Sequence, residues 1–244
     1  TYGQLCDGTT TNSSTLIQVM SDVAQAAIGD SYVMILKTDG TLWGCGGNAS
    51  GQLCNYAYEN IAEPKQIVAR YGDKHATNIA GIWAGNGHTM ILKSNGVLWA
   101  CGNNIFGQLG NGKDGSVTAF PQQVMSGVVQ VSAGAYHTMI LKYDGTLWAC
   151  GRNEHGQLCD GTTENRSTPV MVMTNVAQVA AGDTHTMILK TDGTLWACGG
   201  NSHGQLGDGT TEDRHTPVQV MEDVAQALST ARRTCSMTMR ESPS

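Results

Sequence analysis

A phrase reading V-x-Q-V-x-A-G-x-x-H-T-M-I-L-K-x-D-G-T-L-W-A-C-G-x-N-x-x-G-Q-L-G-D-G-T-T-x-x-R-x-T-P-V-x-V-M recurs along this 244-residue chain. Self-similarity at a fixed period of tens of residues constrains architecture before any single motif does, because each repeat must bury its apolar face on its neighbours. The tripeptide G-Q-L begins at Gly3, Gly51, Gly107, Gly156 and Gly204, in steps of 48, 56, 49 and 48. Trp43, Trp99, Trp148 and Trp196 recur with the same steps. One repeat is about seven residues longer, with the excess between Val68 and Ile79, where A-R-Y-G-D-K-H-A-T-N replaces a short connection.

Within a repeat, T-M-I-L-K and T-L-W-A-C are short β-patterned runs joined by Asp39-Gly40, Asn95-Gly96, Asp144-Gly145 or Asp192-Gly193. Those pairs tolerate positive φ, and each predicts a tight two-residue hairpin. A further bend is expected at G-x-N-x-x-G-Q-L. T-P-V-x-V-M supplies another strand, with Pro169 and Pro217 near its start as an edge strand allows. Three to four strands per repeat, repeated radially, predict an all-β propeller of four-stranded blades. No stretch is long and apolar enough for a membrane helix, so no membrane partner is expected. The net charge of -6, with 14 scattered Lys and Arg, argues against a nucleic-acid surface.

The segment Ala181 to Thr211, A-G-D-T-H-T-M-I-L-K-T-D-G-T-L-W-A-C-G-G-N-S-H-G-Q-L-G-D-G-T-T, resembles the regulator-of-chromosome-condensation repeat, and the resemblance runs from Thr1 to about Gln226. It implies a β-propeller, usually of seven blades. Family members include a nuclear exchange factor for a small GTPase, a plant ultraviolet photoreceptor and secreted bacterial β-lactamase inhibitors; D-G-T-T-x-x-R-x-T-P-V has the bacterial style. A common fold leaves function open. Four complete repeats are expected at about 23–70, 79–125, 128–173 and 176–221, flanked by half-repeats at 1–22 and 224–244. As a single domain they amount to about five blade equivalents, either closed or part of a longer array. After Gln226 the glycine, the histidine and the apolar alternation of the phrase are lost.

Cysteine and histidine recur in columns. Cys45, Cys101, Cys150 and Cys198 follow the tryptophans, and Cys6, Cys54 and Cys159 follow G-Q-L, where Gly110 and Gly207 stand in sister repeats. Equivalent positions are a blade apart, which argues against disulfides between them. The absence of C-x-x-C removes zinc spacing. The cysteines are therefore expected as small buried core residues, a usage that suits a reducing setting. His88, His137 and His185 share the G-x-x-H position with Tyr32. They are expected to bond between neighbouring blades rather than to ring a metal, and the tryptophans are expected in the blade cores. No nucleophile elbow, zincin or P-loop motif is present, so neither catalysis nor a cofactor is expected.

Variation inside the repetition carries the functional reading. It concentrates in the dipeptide of G-x-x-H and in the dipeptide before G-Q-L, both at turns that equivalent blades present at equivalent places. Tyr2, Ile105, Phe106, Tyr136, His155 and His203, joined by Arg152, Asp30 and Asp183, are the candidate binding residues. Aromatic and arginine side chains of this kind anchor interfaces. The inserted loop with Arg70 and Tyr71 is a second candidate. The expectation is a non-catalytic scaffold that binds a protein partner through one rim. Exchange activity on a small GTPase, or a structural or surface-display module, are the alternatives.

Overall fold

The computed structural model describes residues 1–67, 78–229 and 235–239. Every regular element among them is a strand. β1 (Val23–Ile28), β2 (Tyr32–Lys37), β3 (Leu42–Gly46) and β4 (Ile61–Gln66) form one antiparallel sheet. β5 (Ile79–Ala84), β6 (His88–Lys93), β7 (Leu98–Asn104) and β8 (Ser116–Met125) form a second. The third holds β9 (Val128–Ala133), β10 (His137–Lys142), β11 (Leu147–Gly151) and β12 (Arg166–Met173). The fourth holds β13 (Val176–Ala181), β14 (His185–Lys190), β15 (Leu195–Gly199) and β16 (Arg214–Met221). In each sheet spatial order follows chain order, which is the up-and-down blade of a β-propeller. The Pro-containing strands β12 and β16 lie at sheet edges, where a missing N–H costs no ladder bond.

β17 (Val224–Ser229) and β18 (Cys235–Met239) pair as a two-stranded sheet although the repeat phrase fails there. Their register repeats that of β13 with β14: Ser229 faces Cys235 as Ala181 faces Thr186. Backbone pairing thus outlasts the loss of the side-chain pattern.

The described chain divides into two compact units, residues 1–105 with 115–127, and residues 106–114 with 128–244. In the first, Tyr32, Met34, Leu42, Leu53, Ile82 and Ile91 are buried together. In the second, Met139, Leu147, Leu158, Val179 and Ile188 form one cluster. The T-M-I-L-K strand is buried along nearly its whole length, and β6 is buried throughout. The G-Q-L leucines Leu53, Leu109, Leu158 and Leu206 are fully enclosed.

Three expectations are corrected. The D-G hairpins are not two-residue turns. Gly40, Gly96, Gly145 and Gly193 alone take positive φ there, and Lys37 N–H bonds Thr41 O while Gly40 N–H bonds Lys37 O. That is a three-residue loop ending in a left-handed glycine. The aspartate serves as an acceptor instead, its Oδ1 taking the N–H and hydroxyl of Thr41. The tryptophans are half-buried at the edge of the core rather than inside it, Trp99 and Trp196 packing against the core clusters from outside; Trp148 Nε1 donates to Thr146 Oγ1 at 2.9 Å and Lys142 Nζ lies 5.9 Å from the ring centroid.

The third correction concerns cysteine. Disulfides join Cys6 to Cys45, Cys54 to Cys101 and Cys159 to Cys198, each with Cα atoms 5.6 Å apart. The bonds run between the two columns rather than within one, from the residue after G-Q-L to the W-x-C cysteine of the following blade. The argument for a reducing setting falls with them. Cys150 remains a buried free thiol because its sister position is Gly110.

Candidate protein-binding loops

The variable dipeptides sit on a fixed frame. The glutamine of G-Q-L turns back so that its Oε1 accepts the N–H two residues earlier: Gln108 from Phe106, Gln157 from His155 and Gln205 from His203, at 3.0, 3.0 and 2.9 Å. The preceding asparagine closes the same loop from inside. Asn153 Oδ1 accepts Leu158 N–H at 2.9 Å, while its Nδ2 donates to Asp160 Oδ1 and Thr162 O. Asn201 repeats these bonds with Leu206, Asp208 and Thr210. Burial would raise the Asp208 carboxyl, yet hydrogen bonds from Arg214, Thr210 and Asn201 hold it far below the usual carboxylate range.

The histidine column ties repeat to repeat. Thr186 Oγ1 donates to Gln157 O at 2.7 Å, so its lone pair accepts from His137 Nε2–H at 3.0 Å. This assigns the tautomer of His137 from the network. The glycine of G-x-x-H is required because the ring folds back over it: a Cβ on Gly134 would lie 2.2 Å from His137 Cε1. Tyr32 plays the same part in the first repeat, bonded to Thr89. Burial pushes the His88 pKa down to about 4 and lowers that of His185. Among the described residues, no group of three or more His, Cys, Asp or Glu has metal-binding geometry.

Backbone bonds then bring the second G-x-x-H residue beside the one after C-G. Arg152 N–H donates to Tyr136 O at 2.9 Å and Gly200 N–H to Thr184 O at 2.8 Å. In the 106–114/128–244 unit this makes two neighbouring stations of different character. At the first, Phe106 and Tyr136 meet edge to face with centroids 5.5 Å apart, and the Arg152 guanidinium lies 5.3 Å from the Phe106 centroid while pairing with Glu154. At the second, His155, Asp183, Thr184, His185, Ser202, His203 and Asp213 line a cleft of about 540 Å³. His155 Nδ1 is 2.7 Å from Asp213 Oδ2, and Asp213 Oδ1 accepts Asn201 N–H. Burial acts to raise the Asp213 carboxyl, but these partners keep it below its ordinary value.

Of the sequence candidates, Phe106, Tyr136 and Arg152 thus form one group and His155, Asp183 and His203 another. Tyr2, Asp30 and Ile105 are exposed in the other unit, Tyr2 and Ile105 at 48% and 52%. Arg70 and Tyr71 lie outside the described residues. Glu154 and Asp213 were not singled out by the sequence; Asp213 shares a column with Asn60 and Asn165, where the carboxylate reads as one more loop residue.

Residues 1–241 match the model of the RCC1-like domain family. Over 97 residues the chain is 32% identical to the RCC2 homolog of Xenopus laevis, covering 39% of this chain and 18% of that protein. Over 95 residues it is 30% identical to human RCC2, covering 39% and 17%. The match therefore spans less than a fifth of these curated relatives, and both being vertebrate proteins, they lend no support to a bacterial origin. The crystal structure of human WBSCR16 superposes with a TM-score of 0.78 at 22% identity, covering 97% of this chain and 64% of that one. Saccharomyces cerevisiae Prp20p, whose structure was described with its binding properties to Gsp1p and histones, gives 0.72 at 21% identity, covering 91% and 56%. These structures show the fold. By the repeated sheets and the family match over nearly its whole length, the chain belongs to the RCC1-like domain family.

Proposed function

We infer that this chain is a non-catalytic scaffold that binds a protein partner through the loops carrying the variable dipeptides. The observation that carries the reading is the contrast within each loop. A glutamine, an asparagine and a backbone bond hold the loop backbone alike from repeat to repeat, while the residue at its tip changes from Tyr2 to Ser50, Phe106 and His155, with histidine recurring only at His203. Rigid tips bearing Phe106, Tyr136 and Arg152 have the composition of interface anchors, and their preorganised backbone lowers the ordering cost of binding. The related Prp20p is described as binding Gsp1p and histones, which are proteins, and this supports a protein as the class of ligand.

The test is capture of partners by the intact protein and by a variant carrying Phe106→Ala, Tyr136→Ala and His155→Ala, with both shown to melt alike. A partner retained by the first and lost by the second supports the reading. Equal capture by both refutes the assignment to these loops. A purified partner allows its affinity to be compared directly.

A further inference from the structure

The outer strands β4, β8, β12 and β16 lie at the edges of their sheets, and each is closed to a further strand in the same way. Pro64, Pro121, Pro169 and Pro217 stand at one register position, three residues after the partner of the C-G glycine in each sheet. Proline removes the N–H that an added strand would bond. Charges act in the same sense: β4 also carries Glu63 and Lys65, β12 Arg166 and β16 Arg214.

A fifth copy of this phrase, T-L-I-Q-V-M at residues 15–20, has neither device. Pro169 and Pro217 fall nine residues after Asp160 and Asp208 of D-G-T-T, and the residue nine after Asp7 is Leu16. No charged residue occurs from Thr9 to Met20. The segment has no regular element, and no backbone hydrogen bond joins 16–20 to other described residues. Leu16 is fully exposed, and Ile17 and Val19 are 49% and 39% exposed. An uncharged, β-prone run of six residues without proline is the composition that pairs with its own kind. Laid antiparallel on itself, it sets Leu16 opposite the partner's Val19 and Ile17 opposite the partner's Gln18. The two-fold axis repeats both pairs, so each face of the joined strands is apolar.

We propose that residues 15–20 pair antiparallel with the same segment of a second copy of this chain, through the strand edge that proline closes in the other repeats. A single pair of short strands buries an area at the low end for specific contacts, so the dimer is a weak one, with Kd of about 10–100 μM. The contact uses none of the loop-tip residues, and it stands or falls apart from the loop-binding reading above.

Sedimentation of the intact chain, from well below to well above that concentration, tests the association. The mass is expected to rise from 25.8 kDa to twice that value and stop there. Amide hydrogen exchange at residues 16–20 is expected to slow as the dimer forms. Leu16→Pro installs the residue that the sister strands carry, after the same threonine in two of them, and is expected to weaken the dimer at least about tenfold. Its melting midpoint should stay that of the parent chain, because the segment makes no ladder bonds to lose. Leu16→Thr keeps the N–H and β propensity while trimming the apolar surface, and is expected to weaken the dimer no more than about threefold. A mass that stays monomeric, growth past the dimer, or a dimer without slowed exchange at 16–20 overturns the proposal. Equal losses from the proline and threonine changes also overturn it, since they would mark an apolar patch rather than paired backbone.

Discussion

Replacing Gly110 with cysteine is expected to close a fourth disulfide, to Cys150. Gly110 has φ +69°, beside +61°, +57° and +62° at Cys6, Cys54 and Cys159, so the column shares one left-handed backbone whether glycine or cysteine fills it. On the other side, the Cys150 sulfur lies 3.6 Å from Gln108 O, as the Cys101 and Cys198 sulfurs lie 3.7 and 3.8 Å from Gln52 and Gln157 O. Both halves of the bridge are thus placed as in the sister pairs. A loop of about 40 residues closed in the unfolded chain corresponds to about 4 kcal/mol. A non-glycine residue in the left-handed region costs about 1–2 kcal/mol. The net is about 2–3 kcal/mol, or a rise in melting midpoint of about 4–12 °C. Because burial pushes the Cys150 thiol up to about 12, little thiolate exists in the folded protein, and the bond should close during refolding under a glutathione buffer. Mass spectrometry after alkylation counts the thiols, and thermal melts are compared with Gly110→Ser, which carries the backbone cost without the bridge. The reasoning fails if the new pair stays reduced while the other three close, or if it closes and the midpoint does not exceed that of the serine variant.

Asn153→Ala leaves Leu158 N–H and the Asp160–Thr162 turn without their partner and is expected to cost about 2–3 kcal/mol, read as a fall in the urea midpoint. His88, whose pKa is pushed from 6.5 to about 4 by burial, makes stability fall with acid. Above pH 6.5 both states are neutral there, and from 6.5 down to 4 only the unfolded chain gains the proton, a loss of about 3 kcal/mol by pH 4. His88→Tyr, after Tyr32, should flatten that part of the pH profile, and an unchanged slope would count against the assignment. In the native protein Cys150 should resist iodoacetamide at pH 8 and react once urea unfolds the chain. Leu158→Ala, at a site with no solvent exposure, is expected to cost about 2–5 kcal/mol in a denaturant titration.

The strands were legible because the repeat shows short apolar runs between turn residues in four aligned copies, and alignment averages out the ambiguity of any one. The hairpin type was not, since Asp-Gly serves two turn families and the choice lies with whether the aspartate side chain is used as an acceptor, as Asp39 is for Thr41. The disulfides were missed by comparing cysteines down a column. Read across columns, the absence of a partner for Cys150 wherever Gly110 replaces cysteine was already visible in the residues. The aromatic group of Phe106 and Tyr136 could be anticipated from loop position. The cleft could not, because it arises from what Thr184 and Gly200 leave unfilled, and a void has no residue of its own.

The glutamine latch behind each loop tip separates two kinds of change. Since Gln108, Gln157 and Gln205 set the course of the backbone from behind, a substitution at Phe106, His155 or His203 alters what the tip offers without altering where it stands. Tips of two residues should therefore be exchangeable between repeats as cassettes, and new specificities can be assembled by permuting existing tips over an unaltered frame.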